Sequence, residues 1–410
     1  MSLFQDANII MQAALHAALP DTAVEKALKE LPRYSGKLVL IAAGKAAWQM
    51  AHAAYAQLGA KIDSGVVITK HGHAMGPIGP LDIREAGHPV PDEDSYTATA
   101  AAIQAVSGLK SDDLVLFLLS GGGSALFEKP LLPPEELADI TKQLLACGAD
   151  ITEINTLRKR FSAVKGGKFA QLCAPAHVFS IVLSDILGDP LDMIASGPAY
   201  PDSTTCEQAQ AIAKKYDLHL SDLARNLLTK ETPKDLPNAE SRITGSVRQL
   251  CAAASESAQA LGYKPVVLTA SLCCEARDAG SFLASIAQYH ADSKESLAFI
   301  AGGETVVHLT GHGKGGRNQE LALAAARGID GLRDTLVFSL GSDGTDGPTD
   351  AAGGWVDGTS LRRMSEKGYD LDAVLQDNDA YHALSAVDGL ILTGPTGTNV
   401  NDLSVLLIRR

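Results

Sequence analysis

Short, nearly unbroken apolar runs recur along this chain, and alanine-rich stretches of helical period lie between most of them. The runs are KLVLIAAG (37–44), GVVITK (65–70), DLVLFLLS (113–120), VFSIVLSD (178–185), KPVVLTA (264–270), LAFIAGG (297–303), TLVFSLGSD (335–343) and GLILTG (389–394). A strand that is apolar at successive positions buries both of its faces, so helices must cover the sheet on each side. Such strands alternating with helices predict an α/β architecture built on mostly parallel sheets. At 410 residues the chain has room for two or three domains. The segment TKETPKDLPNAES (229–241) combines two prolines and several charges with little apolar content, which predicts a linker. The expected domains are residues 1–235 and 236–410.

Composition removes several function classes. Hydrophobic residues make up 46% and charged residues 20%, as in ordinary globular proteins. No apolar run approaches the roughly 18 to 20 residues of a spanning helix. The start, MSLFQDANIIMQAALHAALP, lacks a basic leader region and reads as an amphipathic helix. A net charge of −13 disfavours nucleic acid or an anionic membrane as partner. The six cysteines lack metal-type pairing, which predicts reduced thiols and a cytoplasmic protein. An anionic small molecule would need a local cluster of cations to overcome the global field.

Many of the apolar runs end in Gly, Ser or Asp, and in open α/β sheets ligands gather outside the carboxyl ends of strands. These loops are therefore the expected site, in a cleft between the two domains if their loop-bearing edges face each other. In HLTGHGKGGRNQELALAAARG (308–328), Gly311, Gly313 and Gly316 satisfy G-x-G-x-x-G in form. The ribose-binding acid required about 20 residues later at a strand end is missing, because Asp330 lies in a turn and Asp343 too far on. What remains is a glycine-rich nest opening a helix, with Lys314 and Arg317 set against the helix dipole. That placement makes sense if an anion normally sits there; the alternative is a flexible surface turn. Lys45 repeats the arrangement after KLVLIAAG. LLSGGGSALFEKP (118–130) offers Ser120, Gly121, Gly122, Gly123 and Ser124 for phosphate contacts, or simply a tight turn.

Carboxylates follow the same rule. SLGSDGTDGPTDAAGG (339–354) carries Asp343, Asp346 and Asp350, and lacks the closing glutamate of a calcium loop. Asp343 and Asp346 suit Mg²⁺, which takes few protein ligands. LSDILGDP (183–190) supplies Asp185 and Asp189. EINTLRKRFSAVKGGKFAQL (153–172) brings Arg158, Lys159, Arg160, Lys165 and Lys168, for which a solvated cationic helix face is the default expectation. Asn155 and Arg158 are expected to point inward. His71 and His73 would make a zinc pair only with a third ligand that the sequence does not indicate. Cations, amide nests and spare aspartates together are the equipment of phosphoryl transfer.

These residues also resemble a family. AAGKAA, LLSGGGSAL, INTLRKRFSAVKGGK, SDILGDPLDMIASGP, AGGETVVHLTGHGKGGRNQELAL, GSDGTDGPTDAAGG and TGPTGTNVNDL are similar, in order, to class II glycerate 2-kinases. That family includes tartrate-operon proteins once labelled hydroxypyruvate reductase. The resemblance implies a Rossmann-like three-layer αβα domain followed by a smaller α/β domain, with the site between them. It implies Mg²⁺ and ATP-dependent phosphorylation of D-glycerate at its 2-hydroxyl. The family's essential lysine falls on Lys45 and its essential arginine on Arg317; its aspartates fall on Asp185 or Asp189 and on Asp343 or Asp346. ATP phosphates would meet Ser120–Ser124 and Gly313, Lys314, Gly315 and Gly316, glycerate would meet Asn155 and Arg158 with its carboxylate on Arg158 or Lys45, and Mg²⁺ would meet Asp343 or Asp346. The rivals are an NAD(P)H-dependent hydroxypyruvate reductase and a non-catalytic sensor of phosphorylated metabolites. Monomer and homodimer remain equally open.

Overall fold

A computed structural model describes residues 2–410 except 185, 187 and 189. Its strands are β1 (Leu38–Ala43), β2 (Ser64–Lys70), β3 (Leu81–Ala86), β4 (Leu114–Leu119), β5 (His177–Leu183) and β6 (Ala239–Gly245). They are followed by β7 (Lys264–Leu272), β8 (Leu297–Gly303), β9 (Thr335–Gly341), β10 (Gly353–Asp357), β11 (Leu390–Ile391) and β12 (Asp402–Ile408).

The first six strands form one sheet in the order β3-β2-β1-β4-β5-β6. Neighbours from β3 through β5 pair in parallel. Every residue of β1 and of β4 is buried, as their unbroken apolar composition requires. Val39, Ile41, Val115 and Phe117 meet Ala98, Ala102, Phe127 and Phe169 on one face. Leu38, Leu40, Leu114 and Leu116 meet Ala47, Met50, Ala51 and Ala54 on the other. Helices on both faces make this unit a three-layer sandwich. The strand order reverses between β1 and β4, the position where open α/β sheets leave a crevice.

The other six strands form a second sheet, β11-β10-β9-β12-β8-β7. The expectation of a mostly parallel sheet fails here. Only β7 and β8 pair in parallel, whereas β12 runs antiparallel between β8 and β9, and β10 runs antiparallel to β9. For β9 and β10 the connection explains this: residues 342–352 contain no helix, and parallel neighbours need a long crossover that this stretch does not supply. Strands β8, β9 and β12 are buried throughout.

The chain divides into compact units of Ala23–Thr244 and of Met1–Thr22 with Gly245–Arg410. This corrects the expected boundary of 1–235 and 236–410 in two ways. Part of the expected linker is β6, which adds to the first sheet, so the division falls after Thr244. The N-terminal helix Leu3–Ala17 belongs with the second sheet, where it buries Ala7, Ile10, Met11, Ala14 and Leu15. Tyr263 donates to Asp6 at 2.7 Å, and Thr398 donates to the Ala18 carbonyl at 2.6 Å. Among the described residues no helix is long and apolar enough to cross a membrane.

Candidate active-site loops

In the unit of residues 23–244 the loops after β1 and β4 meet where the strand order reverses. The Lys45 amide donates to the Gly121 carbonyl at 2.9 Å, and the Ala46 amide donates to Ser120 Oγ at 3.1 Å. A Cβ on Gly44 would stand 2.6 Å from the Ser120 carbonyl, so only glycine permits this approach. Lys45 lies in the turn before the helix Ala47–Leu58, not in its first turn, and it is exposed. Among the described residues its ammonium has no hydrogen-bond or ion-pair partner. A Cβ on Gly122 would stand 3.2 Å from Lys45 Cγ and 3.2 Å from His88 Nε2, so that glycine keeps the space between them open. Gly123 instead serves packing, because a Cβ there would lie 2.7 Å from the Ala195 methyl.

The loop after β5 completes this edge. Ser196 Oγ lies 3.3 Å from Ser124 Oγ and donates to Asn155 Oδ1 at 2.9 Å. Ala195 and Ser196 both adopt left-handed backbone, at φ 49° and 61°, the kind of strain that collects at functional sites. Asn155 therefore points inward as expected, though its carbonyl oxygen is engaged by Ser196. Arg158, one turn further along the helix Ile151–Phe161, is partly buried and, among the described residues, makes no ion pair or hydrogen bond. Burial draws its pKa down, opposed by the Glu128 carboxylate.

The neighbouring cations overturn the expectation of a solvated face. Lys159, Arg160 and Lys165 are buried. Lys159 Nζ and Arg160 Nη1 reach opposite oxygens of Asp202 at 2.9 Å and 2.8 Å, and Lys165 pairs with buried Glu128. Lys168 donates to the carbonyls of Lys159 and Ser162 at 2.8 Å and 2.7 Å, closing the C-terminus of that helix. His71 turns to Asp92 at 3.0 Å and to Asp94 at 3.7 Å, while His73 Nδ1 faces the Lys45 carbonyl at 3.4 Å. The two histidines do not converge on one point. Asp185 and Asp189 lie outside the described residues.

In the other unit the helix Arg317–Ile329 follows β8 and its glycine-rich loop. That loop is not an open nest. The amides of Thr310 and Gly311 donate to Asn378 Oδ1, His312 to Asp377, Gly313 to the Asp377 carbonyl and Lys314 to Asp379, all within 2.8–3.0 Å. Cβ atoms on Gly311 and Gly313 would collide with residues 377 and 379 at 2.3 Å and 2.4 Å. These glycines thus allow close packing of the chain on itself, which corrects the phosphate-nest role expected of Gly313 and the Lys314 amide. The Lys314 ammonium sits over the Tyr381 ring, 4.0 Å from its centroid. Among the described residues the amides of Gly315 and Gly316 are left without a partner.

The anion demanded by the helix terminus comes from the chain. Asp346 accepts the Asn318 amide at 3.1 Å and the Gln319 amide at 2.9 Å, one on each oxygen. With one amide on each oxygen, Asp346 serves as a helix cap. Burial pushes its pKa up to about 6, against those two amides and aided by the Asp402 charge. Asp343, partly exposed, accepts the Thr345 amide at 3.0 Å on Oδ1, and among the described residues its Oδ2 has no hydrogen-bond partner. Arg317 is held by two carboxylates that the sequence did not single out. Its Nε and Nη2 form a fork on Asp402 at 2.6 Å and 3.0 Å, and Nη1 reaches Glu304 at 2.9 Å. Burial works to lower the Arg317 pKa, but the Asp402 fork and the Glu304 and Asp346 charges raise it further. Glu304 and Asp402 flank β8 and open β12; a search for acids at strand ends would have found Glu304, but Asp402 begins a strand that was not expected.

Comparison with known proteins places the whole. Residues 6–229 match a domain of unknown function, DUF4147, and residues 297–402 match the MOFRL family. The chain is 49% identical to the D-glycerate 2-kinase of Thermotoga maritima over 97% of both chains. It is 42% identical to the glycerate 2-kinase of Pyrococcus horikoshii, over 91% of this chain and 88% of that one. The crystal structure of the Thermotoga maritima glycerate kinase superposes with a TM-score of 0.95, covering 98% of this chain and 99% of that one. The two-unit α/β architecture is therefore that of the glycerate kinases. This chain belongs to their DUF4147–MOFRL class, the class II glycerate kinase family.

Proposed function

We propose that this chain is a glycerate 2-kinase, which moves the terminal phosphoryl group of ATP to the 2-hydroxyl of D-glycerate. The observation that carries this reading is Lys45. It is an exposed, unpartnered cation at the reversal point of a parallel sheet, beside a loop kept open by Gly122. Such a cation suits the charge that develops on a transferring phosphoryl group, and likeness to the Thermotoga D-glycerate 2-kinase supports it. In this reading Lys45 neutralises charge on the transferring phosphoryl group, and Arg317 is the second cation that the reaction needs. Arg158, which makes no hydrogen bond or ion pair among the described residues, receives the glycerate carboxylate. Removing it should lower kcat/KM for glycerate by about 10- to 100-fold, the worth of a hydrogen bond to a charged group, in Arg158→Met kinetics. Thermal unfolding of that variant should stay close to wild type, since no hydrogen bond or ion pair among the described residues is lost. Asp343 would hold Mg²⁺ through its free oxygen, and the ion would supply neutralising charge on the phosphates.

The glycine loop favours the reductase reading little, because the amides of residues 310–314 are committed to residues 377–379. Purified protein with D-glycerate, Mg-ATP and enolase, in the absence of phosphoglycerate mutase, should yield phosphoenolpyruvate. ADP without phosphoenolpyruvate would mean another hydroxyl or another acceptor. Oxidation of NAD(P)H by hydroxypyruvate without ADP formation would restore the reductase.

A further inference from the structure

We infer that Asp402 and Glu304 are positioning residues, a two-carboxylate clamp that fixes the Arg317 guanidinium for phosphoryl transfer. The clamp is built by the sheet. Asp402 opens β12 in register with Gly303, the last residue of β8, and Glu304 follows immediately. Two adjacent strand ends thus set two carboxylates against one guanidinium. The Asp402 fork fixes its plane, since two parallel bonds allow little rotation. The Glu304 bond to Nη1 fixes the far corner, and Asn401 Nδ2 holds the other Glu304 oxygen at 3.2 Å. Asn401 adopts left-handed backbone at φ 67° to make that turn. Three of the five guanidinium N–H groups are used in this way. Two remain, on a side chain still 35% exposed.

This clamp is not needed to cap the helix, because Asp346 already occupies the amides of Asn318 and Gln319. Asp402 is buried at some cost, and burial pushes its pKa up despite Arg317. Burying an acid to hold a partly exposed arginine is what a group needs if its direction matters more than its attachment.

The test uses the full-length protein and the glycerate-phosphorylation assay. Asp402→Asn should lower kcat by about 10- to 100-fold, the usual consequence of misplacing a catalytic group by about 1 Å, with the KM values for glycerate and ATP within about threefold. Glu304→Gln, on the half-exposed side, should lower kcat less and leave thermal unfolding unchanged. In Arg317→Ala, added guanidinium ion should restore part of the rate, and Asp402→Asn in the same chain should abolish that restoration. A folded Asp402→Asn enzyme with near-normal kcat overturns the inference. So does a change confined to KM, or guanidinium rescue that ignores Asp402. Should Asp402→Asn fail to fold, normal kcat in Glu304→Gln overturns the clamp and reduced kcat at unchanged KM upholds it. The inference rests on the kinase reading. A wild-type chain that does not phosphorylate glycerate defeats that reading, whereas an active wild type with indifferent clamp variants defeats the clamp alone.

Discussion

Arg317 shows how far a single residue can be read from sequence. A cation at the first position of a helix opposes the dipole, so the sequence implies an anion nearby. The chain supplies anions of its own there: Asp346 on the helix amides, Asp402 and Glu304 on the guanidinium. Local charge pattern reveals the need for a partner without revealing which distant segment meets it. The same burial gives Asp346 a pH signature. Its folded pKa, about 6, lies above the ordinary carboxylate value of 3.8, so the folded chain binds this proton more tightly than the unfolded chain. The associated stability is fully present below about pH 4 and is lost as pH rises through about 6, a difference of roughly 3 kcal/mol. Asp346→Asn cannot ionise. Unfolding free energies of both proteins at pH 4 and pH 7 should show wild type losing about that much relative to the variant. A constant difference between the two pH values would show that Asp346 titrates normally.

At the scale of elements, unbroken apolar runs were legible as strands, and strands interrupted by charge or glycine were not; KPVVLTA was legible too, although β7 is mostly exposed or partly buried rather than covered on both faces. β1, β4, β8 and β9 are apolar at nearly every position because each is covered on both sides. β3, with the sequence LDIREA, edges its sheet and alternates with charge, while β10 begins with two glycines. β12, DLSVLLI, is buried throughout but opens with Asp402 and carries Ser404, which interrupt its apolar run. The helix Ile151–Phe161 misled in the opposite direction. A run of Arg and Lys looks solvated when the acids that will bury it lie distant in sequence. Asp202 accepts from Lys159, Arg160 and Thr232 and is itself buried. Removing one member of such a network leaves buried charge unmatched, so Asp202→Ala should cost about 3 to 5 kcal/mol. Denaturant titration measures this, and a loss below about 1 kcal/mol would mean that water replaces the carboxylate readily.

The whole molecule is organised differently from its linear order, because its first 22 residues complete the unit formed by residues 245–410. Sequence cannot easily show this: an amphipathic helix declares that it has a buried face, not what buries it. Here the helix Leu3–Ala17 packs against the helix Val247–Ala260, and the Phe4 ring lies tilted against Trp355 with centroids 4.5 Å apart. Its buried Ile10, Met11 and Leu15 each contribute about 1.5 to 3 kcal/mol by burial, a sum comparable to the net stability of a whole domain. Deleting residues 2–18 should therefore unfold the C-terminal unit and spare the unit of residues 23–244. The two tryptophans separate the outcomes, since Trp48 lies in one unit and Trp355 in the other. In a Trp48→Phe background, Trp355 fluorescence should shift to that of an exposed indole on deletion. In a Trp355→Phe background, Trp48 should report an unchanged cooperative transition. If both signals change together, the two units fold as one cooperative system; if neither changes, the N-terminal helix is dispensable and its burial contributes little.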